Sequence, residues 1–343
     1  MSAPVTQRRA RLAVLLGDAG GVGPEMAVKL LARPANAAAV DVLLISDTAS
    51  LAAGERVAGA SLELLRVQSL DALRFEPGRI TQLVQPDDGA APLGQSTAVA
   101  GGAALRALAA ATDAARDGVV DGIVFAPLNK HSLRLGGMTH EDELRYMQER
   151  FGVTDFVCEF NITGQLWTSR VTSHVPLRDV AGLITQGAIA GAVKIIDVAL
   201  RRAGIAKPRI AVSGLNPHAG DGGSIGMEEI EIIAPAIRRL REEGLDASGP
   251  WSPDTVFIAA RRGDFDAVVS MYHDQGQIAM KLMGFESGVT LHGGLPVPVA
   301  TSASGSAFDI AGKGIAQIEG LQHAFDLCAR MAGARQSQPV APA

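Results

Sequence analysis

The sequence is poor in cysteine, in aromatic residues and in long apolar runs, and each shortage excludes a class of protein. Only two of the 343 residues are cysteines, Cys158 and Cys328, which is too few for a disulfide-stabilised secreted scaffold. Aromatic residues make up 4% of the chain and hydrophobic residues 47%, which predicts a largely aliphatic core. No run approaches the roughly 20 apolar residues of a membrane span. We therefore expect a soluble protein of the reducing cytoplasm.

Positive charge is also scarce, whereas glycine is abundant. The formal net charge of −5 argues against nucleic acid or an anionic membrane as the main partner. The 39 glycines fit an α/β protein with many tight turns between strands and helices. The length allows two sizeable domains, or one α/β body with two lobes.

Apolar segments with the composition of strands alternate with helical patterns along the chain. The strand candidates are Leu12–Leu16, Val40–Ser46, Gly122–Ala126, Arg170–Ser173, Arg209–Ser213, Ala267–Met271 and Val289–Leu291. The helix candidates are Pro24–Leu31, Ala98–Arg116, Leu183–Arg202 and Glu228–Glu243. This alternation predicts an α/β fold with a largely parallel sheet and functional sites at the carboxyl ends of its strands. The polar residues 334–343, which include two prolines, predict a disordered tail.

Three histidines share the sequence context that a metal site would require. His174, His218 and His273 each follow a strand-like run and stand beside small or turn-forming residues. Three histidine donors leave one coordination position open, as catalytic metal sites do. Near His273, Asp274 can ligate a metal or act as a base, and Lys281 can pair with a carboxylate or phosphate. A single histidine is more often structural, but the shared context predicts a three-histidine site.

Two glycine-rich segments have the composition of nucleotide-binding turns. Gly17–Glu25 lies between a strand and a helix, although its glycine spacing departs from the dinucleotide-binding fingerprint. A purely structural turn remains the alternative for this segment. In Gly305–Ala316, the small residues allow an adenine or ribose to lie against the backbone, and Asp309 can accept a hydrogen bond from a ribose hydroxyl. The alternative is a helix start packed closely on the sheet. The predicted cofactor-binding residues are Gly305, Ser306, Ala307 and Asp309.

A third segment, Asn216–Gly226, is a glycine-rich loop that contains His218 and enters a helix. Its backbone amides can approach a pyrophosphate or a substrate anion. A structural Asn-Pro turn with a long connection is the alternative. The histidine embedded in the loop favours a functional role.

Taken together, these segments resemble the 4-hydroxythreonine-4-phosphate dehydrogenase family of pyridoxal phosphate biosynthesis. The resemblance extends from Gly17 to about Ala316. The most specific matching segments are Pro127–Lys130, His174–Arg178, Leu215–Gly220 and Met271–Gly276. The segment Gly305–Ala316 is also similar to the adenosine-binding loop of isopropylmalate dehydrogenases, which share the family's fold.

The resemblance implies a fold, a reaction and an assembly. The fold is of the isocitrate/isopropylmalate dehydrogenase type, an α/β fold of two α/β/α lobes with a cleft, so residues 10–333 would form one catalytic unit of two interwoven lobes. The reaction is NAD- or NADP-dependent oxidation of a hydroxyl β to a carboxylate, after which the 3-keto acid loses carbon dioxide. The family works as a homodimer with a divalent metal, which would be Zn, Mg, Mn or Co. The metal ligands would be His174 and His218 of one subunit and His273 of the partner subunit.

The resemblance also assigns the catalytic residues. Asp254 and Asp274 match the two aspartates near the family's metal, and Lys281 matches a lysine that contacts the substrate anion. A bound divalent cation lowers the pKa of the substrate hydroxyl, so that a nearby carboxylate can take its proton as the hydride leaves. The nicotinamide performs the redox chemistry.

Departures from the family pattern concern the phosphate end of the substrate. Thr290 and Val299 stand where the family has an asparagine and an arginine, and Ala303 and Ser304 replace an Asp-His pair. The family's His-Thr-Glu motif is absent, and residues 139–145 read Thr-His-Glu-Asp-Glu-Leu-Arg. Each lost charge-assisted hydrogen bond to a phosphate costs about 1–3 kcal/mol of binding.

Two substrate hypotheses follow from these departures. In one, Lys281, Thr290 and Arg145, or His140, hold a phosphorylated substrate. In the other, the chain is a paralogue that oxidises a non-phosphorylated hydroxy acid or a cis-diol carboxylate. More distant alternatives are a zinc hydrolase that needs no nucleotide and a structural zinc site between subunits.

Overall fold

The computed structural model describes residues 8–284 and 286–336, and the chain divides into two compact units. The first unit combines residues 1–154 with residues 295–343, and the second contains residues 155–294. The first unit is therefore discontinuous in sequence. The prediction of one catalytic unit over residues 10–333 stays a prediction. The predicted tail lies outside the described residues from 337 onward, and residues 334–336 complete the last helix.

The first unit contains parallel strands in the order β3-β4-β2-β1-β5-β12. Their bounds are β1 Arg11–Leu15, β2 Asp41–Ser46, β3 Leu64–Val67, β4 Ile80–Val84, β5 Gly122–Phe125 and β12 Val299–Ser302. Its helices are α1 Gly23–Leu31, α2 Pro34–Ala39, α3 Thr48–Ala58, α4 Ala98–Arg116, α5 Lys130–Leu135, α6 Glu143–Arg150 and α12 Glu319–Gln336. Every residue of β2 is buried, which explains its continuous apolar run, because a strand covered on both faces cannot alternate with polar residues.

The second unit contains a mixed sheet in the order β11-β6-β7-β10-β8-β9. Its strands are β6 Cys158–Thr163, β7 Leu166–Arg170, β8 Ile210–Ser213, β9 Ala247–Trp251, β10 Ala267–Ser270 and β11 Val289–Gly293. Its helices are α7 Leu177–Leu183, α8 Gln186–Arg202, α9 Ala234–Glu242, α10 Val256–Arg261 and α11 His273–Gly284. Strand β6 is antiparallel to β11 and to β7, while β7, β10, β8 and β9 run parallel to one another. The predicted α/β class with a largely parallel sheet is confirmed.

Side-chain caps fix the starts of several helices at the carboxyl ends of strands. Asp47 accepts a hydrogen bond from the Ser50 amide and begins α3 directly after β2. Thr97 caps α4 through the Ala100 amide. Each cap satisfies an N–H group that would otherwise have no partner in the first helical turn. The helix bounds therefore follow from local sequence.

Most predicted elements are confirmed, but three of them differ from the structure. Strand β7 ends at Arg170, so the predicted strand Arg170–Ser173 is displaced, because the β6–β7 hairpin pairs Thr163 with Leu166 and sets the register. The predicted helix Leu183–Arg202 is broken, because α7 ends at Leu183 and Thr185 caps a separate α8. The predicted helix Glu228–Glu243 begins with a π-helical turn, Glu229–Ile233, before α9.

Among the described residues, no single helix is both long and apolar enough to cross a membrane. Only α7 and α8 taken together reach the required length and composition, and they are bent by 92° relative to each other.

Candidate functional site

The three histidines singled out in the sequence follow the carboxyl ends of neighbouring parallel strands of the second unit. His174 follows β7, His273 follows β10 and His218 follows β8. Strand β10 pairs in parallel with β7 on one side and with β8 on the other. Because the carboxyl ends of adjacent parallel strands meet at one edge of a sheet, all three histidines lie along the same edge.

His273 is oriented by the residue that follows it. Its Nδ1 lies 2.7 Å from Asp274 Oδ1, and its ring centroid lies 5.6 Å from that of His174. A histidine that donates its Nδ1–H to a carboxylate presents the Nε2 lone pair outward, which is the usual arrangement of a metal-binding histidine. The predicted catalytic residue Asp274 therefore contacts a predicted ligand.

His218 lies on an exposed turn of left-handed backbone. Its φ is 53°, and two further non-glycine residues of the turn, Ala219 and Asp221, have φ values of 52° and 43°. Left-handed backbone is unfavourable for residues with a Cβ atom and is found mainly where surrounding contacts enforce it.

The charge of His218 affects the pKa of the Asp254 carboxyl. The hydrogen bond from the Ser252 hydroxyl, 2.5 Å from Asp254 Oδ1, lowers the pKa of this exposed carboxyl, and His218 lowers the pKa further. Asp254 is therefore ionised at neutral pH. The role of Asp254 beside the metal stays a prediction.

In the first unit, the two glycine-rich segments lie against each other. The Val22 amide donates a hydrogen bond to the Ser306 carbonyl oxygen at 3.0 Å, and Asn129 Nδ2 donates to Ser306 Oγ at 3.3 Å. A Cβ atom at Gly21 would lie 2.5 Å from the Ser306 carbonyl oxygen, so only glycine fits there. Ala307 adopts left-handed backbone with a φ of 42°.

A cavity of about 240 Å³ lies beside this junction. Both glycine-rich segments contribute to its wall, through Gly21 and Gly312, and α3 contributes Ala53 and Arg56. Pockets that hold a whole drug-sized ligand measure about 300–1,000 Å³, so this cavity can hold at most a part of such a ligand. The predicted cofactor residue Asp309 is exposed on the short turn Phe308–Ile310 of the same segment.

Comparison with known proteins identifies the family. Residues 36–328 match the family model described as "Pyridoxal phosphate biosynthetic protein PdxA". The chain is 48% identical to a putative 4-hydroxythreonine-4-phosphate dehydrogenase 2 of Pseudomonas aeruginosa, over 94% of this chain and 96% of the relative. It is 40% identical to a D-threonate 4-phosphate dehydrogenase of Cupriavidus necator, over 94% of this chain and 98% of that protein.

A solved structure agrees with these relatives. The crystal structure of the 4-hydroxythreonine-4-phosphate dehydrogenase of Klebsiella pneumoniae aligns with a TM-score of 0.80 at 35% identity, over 94% of this chain and 99% of that chain. This chain belongs to the PdxA family. It is therefore an NAD(P)-linked, metal-dependent hydroxy-acid dehydrogenase.

The histidine set of this PdxA-family chain fits a divalent metal by the chemistry of its donors. Imidazole nitrogen suits zinc and other first-row transition metals, and His273 is already oriented to present Nε2. Within the described part of a single chain, the ligand atoms of His174, His218 and His273 are not all within 4.8 Å of one another. In this conformation, a single chain therefore does not bring the three histidines close enough together to bind one metal ion.

The predicted substrate-binding residues lie on three separate elements. Lys281 is exposed on α11, the helix that begins at His273. Thr290 lies on β11, where its hydroxyl accepts a hydrogen bond from Asn161 Nδ2 at 3.5 Å. Arg145 is exposed in the first turn of α6 in the first unit, where its Nη1 donates to Gln148 Oε1 at 2.9 Å.

Sequence reasoning missed a buried polar network at the end of β7. The Arg170 side chain is 7% exposed, and its guanidinium donates to Glu159 Oε2 and Asn161 Oδ1, each at 3.0 Å, and to Ser173 Oγ at 2.9 Å. Asn161 Oδ1 also accepts a hydrogen bond from Gln277 on α11. The network therefore joins the segment before His174 to the helix that carries His273. The only signal in the sequence is an arginine inside a β-branched run.

Gln275 is a second residue that the sequence analysis did not single out. Its Oε1 accepts a hydrogen bond from the Met271 amide at 2.6 Å, and its Nε2 donates to the Gly214 carbonyl oxygen at 2.9 Å. This side chain therefore connects the carboxyl end of β10 to that of β8, the strands that precede His273 and His218.

Proposed function

We propose that this enzyme oxidises a phosphorylated 3-hydroxy acid of the 4-hydroxythreonine 4-phosphate or D-threonate 4-phosphate class, with a divalent metal held by His174, His218 and His273. The observation that carries the proposal is the position of the three histidines beyond adjacent parallel strands. The named activities of the relatives in Pseudomonas and Cupriavidus support the substrate class.

The residues around the histidines have distinct roles in this reaction. A divalent metal held by the histidines would supply Lewis acidity to the substrate hydroxyl. Asp254, which is ionised at neutral pH, would accept the proton of that hydroxyl. Asp274 holds the His273 ring through Nδ1. Lys281 supplies an exposed cation for the substrate carboxylate or phosphate.

We propose NAD, rather than NADP, as the preferred cofactor, bound by Gly305, Ser306, Ala307 and Asp309. Asp309 presents an exposed carboxylate on the segment that packs against the glycine-rich turn. A carboxylate accepts hydrogen bonds from the 2′-hydroxyl of the NAD ribose and repels the 2′-phosphate of NADP.

A homodimer with a shared metal site completes the proposal. Large apolar side chains are exposed close in sequence to two of the histidines: Leu177 is 71% exposed, Ile278 60% and Leu282 84%. Ile278 and Leu282 lie one turn apart on α11 and form an exposed apolar patch, which a twofold dimer would bury on both subunits. Because the histidine set is open in one chain, His273 of the partner subunit would complete it.

The dimer can be tested separately from the reaction. Leu282→Asp places a charge in the patch, so light scattering should detect monomers and the variant should lose metal affinity. Leu135→Asp, at an apolar residue of the first unit that is 47% exposed, is the matched control and should remain dimeric. A dimeric Leu282→Asp protein with normal metal affinity would contradict the shared site.

We expect this enzyme in the cytoplasm. Both cysteines are free thiols, and burial raises the pKa of Cys328 far above its usual range, so that this thiol is inert. Cys158 lies 3.7 Å from Ser169 Oγ rather than in a disulfide. A reducing compartment suits both residues.

A non-phosphorylated substrate is the second candidate, because of the residues that stand at the family's phosphate-binding positions. Val299, which replaces a family arginine, is fully buried on β12 and offers no charge to a phosphate. The Thr290 hydroxyl already accepts a hydrogen bond from Asn161.

Arg145 favours the first candidate instead, because it is an exposed cation that can bind a phosphate in place of the missing arginine.

Substrate competition separates the two candidates. We would measure NADH formation from 4-hydroxythreonine 4-phosphate, D-threonate 4-phosphate, their dephosphorylated forms and an aromatic cis-dihydrodiol carboxylate. The first candidate predicts kcat/KM at least about 100-fold higher for a phosphorylated acid, with that advantage reduced in Arg145→Ala. Equal or higher kcat/KM for a non-phosphorylated compound would establish the second candidate.

A further inference from the structure

A buried carboxylate lies beneath the turn that carries His218. Glu229 is the first residue of the π-helical turn Glu229–Ile233, and only 2% of it is exposed. π-helical turns are rare and are found frequently at functional sites. Among the described residues, no lysine or arginine forms an ion pair with Glu229.

The partners of Glu229 are backbone and amide groups of the segment just before His218. The amides of Leu215 and Asn216 both donate to Glu229 Oε1 at 2.7 Å, and Asn216 Nδ2 donates to Oε2 at 3.0 Å. A buried carboxylate is tolerated only when such donors replace its lost hydration. All three hydrogen bonds hold one segment, Leu215–Asn216, two residues before the histidine.

The carboxylate also lies in contact with glycines on both sides of His218. A Cβ atom would lie 3.1 Å from Glu229 Oε1 if built at Gly214 and 2.7 Å from Oε2 if built at Gly220. The turn is therefore wrapped closely around this side chain. Glycine at position 220 is required by the carboxylate as well as by its positive φ of 79°.

The turn needs such support because its backbone is strained. His218, Ala219 and Asp221 all adopt left-handed backbone without being glycine. Each such residue is energetically unfavourable, so the conformation persists only where neighbouring contacts enforce it. The two 2.7 Å hydrogen bonds of Glu229 are charge-assisted and are the ones that hold the backbone amides of this segment, Leu215 and Asn216.

We propose that Glu229 is a positioning residue that fixes the His218 imidazole for metal binding through the backbone of Leu215 and Asn216. The inference rests on the proposed role of His218 as a metal ligand. A residue that supports a ligand in this way typically changes metal affinity by about 10- to 100-fold when it is replaced. A merely structural carboxylate would change the stability of the fold and leave metal affinity unaltered.

The test compares Glu229→Gln with Glu228→Gln in the full-length protein. Glutamine keeps the volume of Glu229 but replaces one acceptor oxygen with a donor, so at least one of the three hydrogen bonds is lost. Glu228 is the matched control, because its Oε2 accepts from the Asn216 side chain, at 2.8 Å, whereas the backbone amides of Leu215 and Asn216 donate to Glu229, and Glu228 is half-buried at the neighbouring position. Metal-free protein would be titrated with Co²⁺ by calorimetry and by visible absorption, without substrate or NAD.

We expect Glu229→Gln to weaken Co²⁺ binding about 10- to 100-fold and to alter the visible spectrum of the bound ion, with Glu228→Gln close to wild type. On a His218→Ala background, Glu229→Gln should weaken binding no further, because the histidine that it positions is gone. Equal Co²⁺ affinities for wild type and Glu229→Gln would overturn the inference, as would a full additional loss in the double variant.

Failure of the proposed function is distinguishable from failure of this inference. If His218→Ala binds Co²⁺ as tightly as wild type, His218 is not a ligand, and the inference falls together with the proposed metal site. If His218→Ala loses affinity but Glu229→Gln does not, only the inference is wrong. Melting temperatures of the metal-free variants show whether any loss of affinity comes from unfolding.

Discussion

The glycine-rich turn Gly17–Glu25 and the glycine-rich loop Asn216–Gly226 have opposite structural requirements. At Gly17 and Gly21, in the first unit, an added Cβ atom would lie within 2.5 Å of a backbone oxygen, so the turn requires that these two positions carry no side chain. In the second unit, His218 and Asp221 occupy left-handed backbone that glycine would adopt more easily. That turn works because of a side chain, and Glu229 holds it in place.

This difference explains what each turn can do. Backbone that carries no side chain at its glycine positions allows a nucleotide to approach closely, as expected of the first turn. A strained backbone that presents an imidazole suits a metal, because the ligand needs a fixed direction more than it needs space. Substitutions that add atoms should therefore affect the first turn, and substitutions that remove atoms should affect the second.

The largest expected effect comes from removing a histidine in the second unit. His218→Ala or His273→Ala should weaken metal binding by about 100-fold or more, with residual binding by the remaining ligands, and lower kcat/KM by about 1,000-fold or more, since the metal contributes several kcal/mol of transition-state stabilisation. His323→Ala, at an exposed position on α12, is the control and should behave as wild type. Calorimetric titration with Mn²⁺ or Zn²⁺ measures the affinity, and retention of affinity in both variants would refute the histidine site.

The next largest effect comes from adding a methyl group in the first unit. Gly21→Ala forces the Ser306 carbonyl oxygen away from its 2.5 Å approach, so KM for NAD should rise about tenfold or more, with metal affinity unchanged. Gly102→Ala, in α4, meets only the end of the Arg106 side chain and should be neutral or slightly stabilising. An unchanged KM for NAD in Gly21→Ala would separate this turn from cofactor binding.

A smaller effect is expected from charge on the cofactor segment. Asp309→Asn removes the repulsion of a 2′-phosphate, so the ratio of kcat/KM for NAD to that for NADP should fall about tenfold. Asp71→Asn, another exposed aspartate of the first unit, should leave the ratio unchanged. A ratio unaffected by Asp309→Asn would show that the ribose lies elsewhere.

The smallest effect concerns stability and pH at the first turn. Burial raises the pKa of Asp18 above its ordinary value, against the opposing hydrogen bond that the Gly20 amide donates to Asp18 Oδ1 at 2.8 Å. The Asp18 carboxyl therefore binds its proton more tightly in the folded state than in the unfolded chain. Its contribution to the free energy of unfolding is lost as the pH rises from about 3.9, the pKa of an ordinary aspartate, through the raised pKa of the folded state. Asp18→Asn should raise the melting temperature by roughly 2–4 °C at pH 7 and by less near pH 4. A gain that grows towards low pH would reverse the assigned direction.

The sequence alone predicted the elements whose signals are local. Helix α4 begins and ends at the predicted residues because Thr97 caps it. The three histidines were placed at strand ends because a strand followed by turn residues is a short-range pattern. Strand β7 was misplaced by several residues, since its register is set by the hairpin with β6 rather than by its own composition.

The supporting residues of the site were beyond the reach of local patterns. Glu229, Gln275 and Arg170 act through partners that the fold brings together, such as Glu229 with Leu215 and Gln275 with Gly214. A glutamate at a helix start normally indicates a favourable contact with the helix dipole. Nothing in the sequence shows that this one is buried under a strained turn.

The most direct single measurement is NADH formation from 4-hydroxythreonine 4-phosphate or D-threonate 4-phosphate by the full-length enzyme, before and after removal of divalent metal by a chelator. A metal-dependent dehydrogenase built on His174, His218 and His273 should lose its activity on chelation and regain it when Mn²⁺, Co²⁺ or Zn²⁺ is added back, whereas His218→Ala should not regain it. Full activity in the chelated enzyme, or equal recovery of activity in His218→Ala, would contradict the three-histidine metal site.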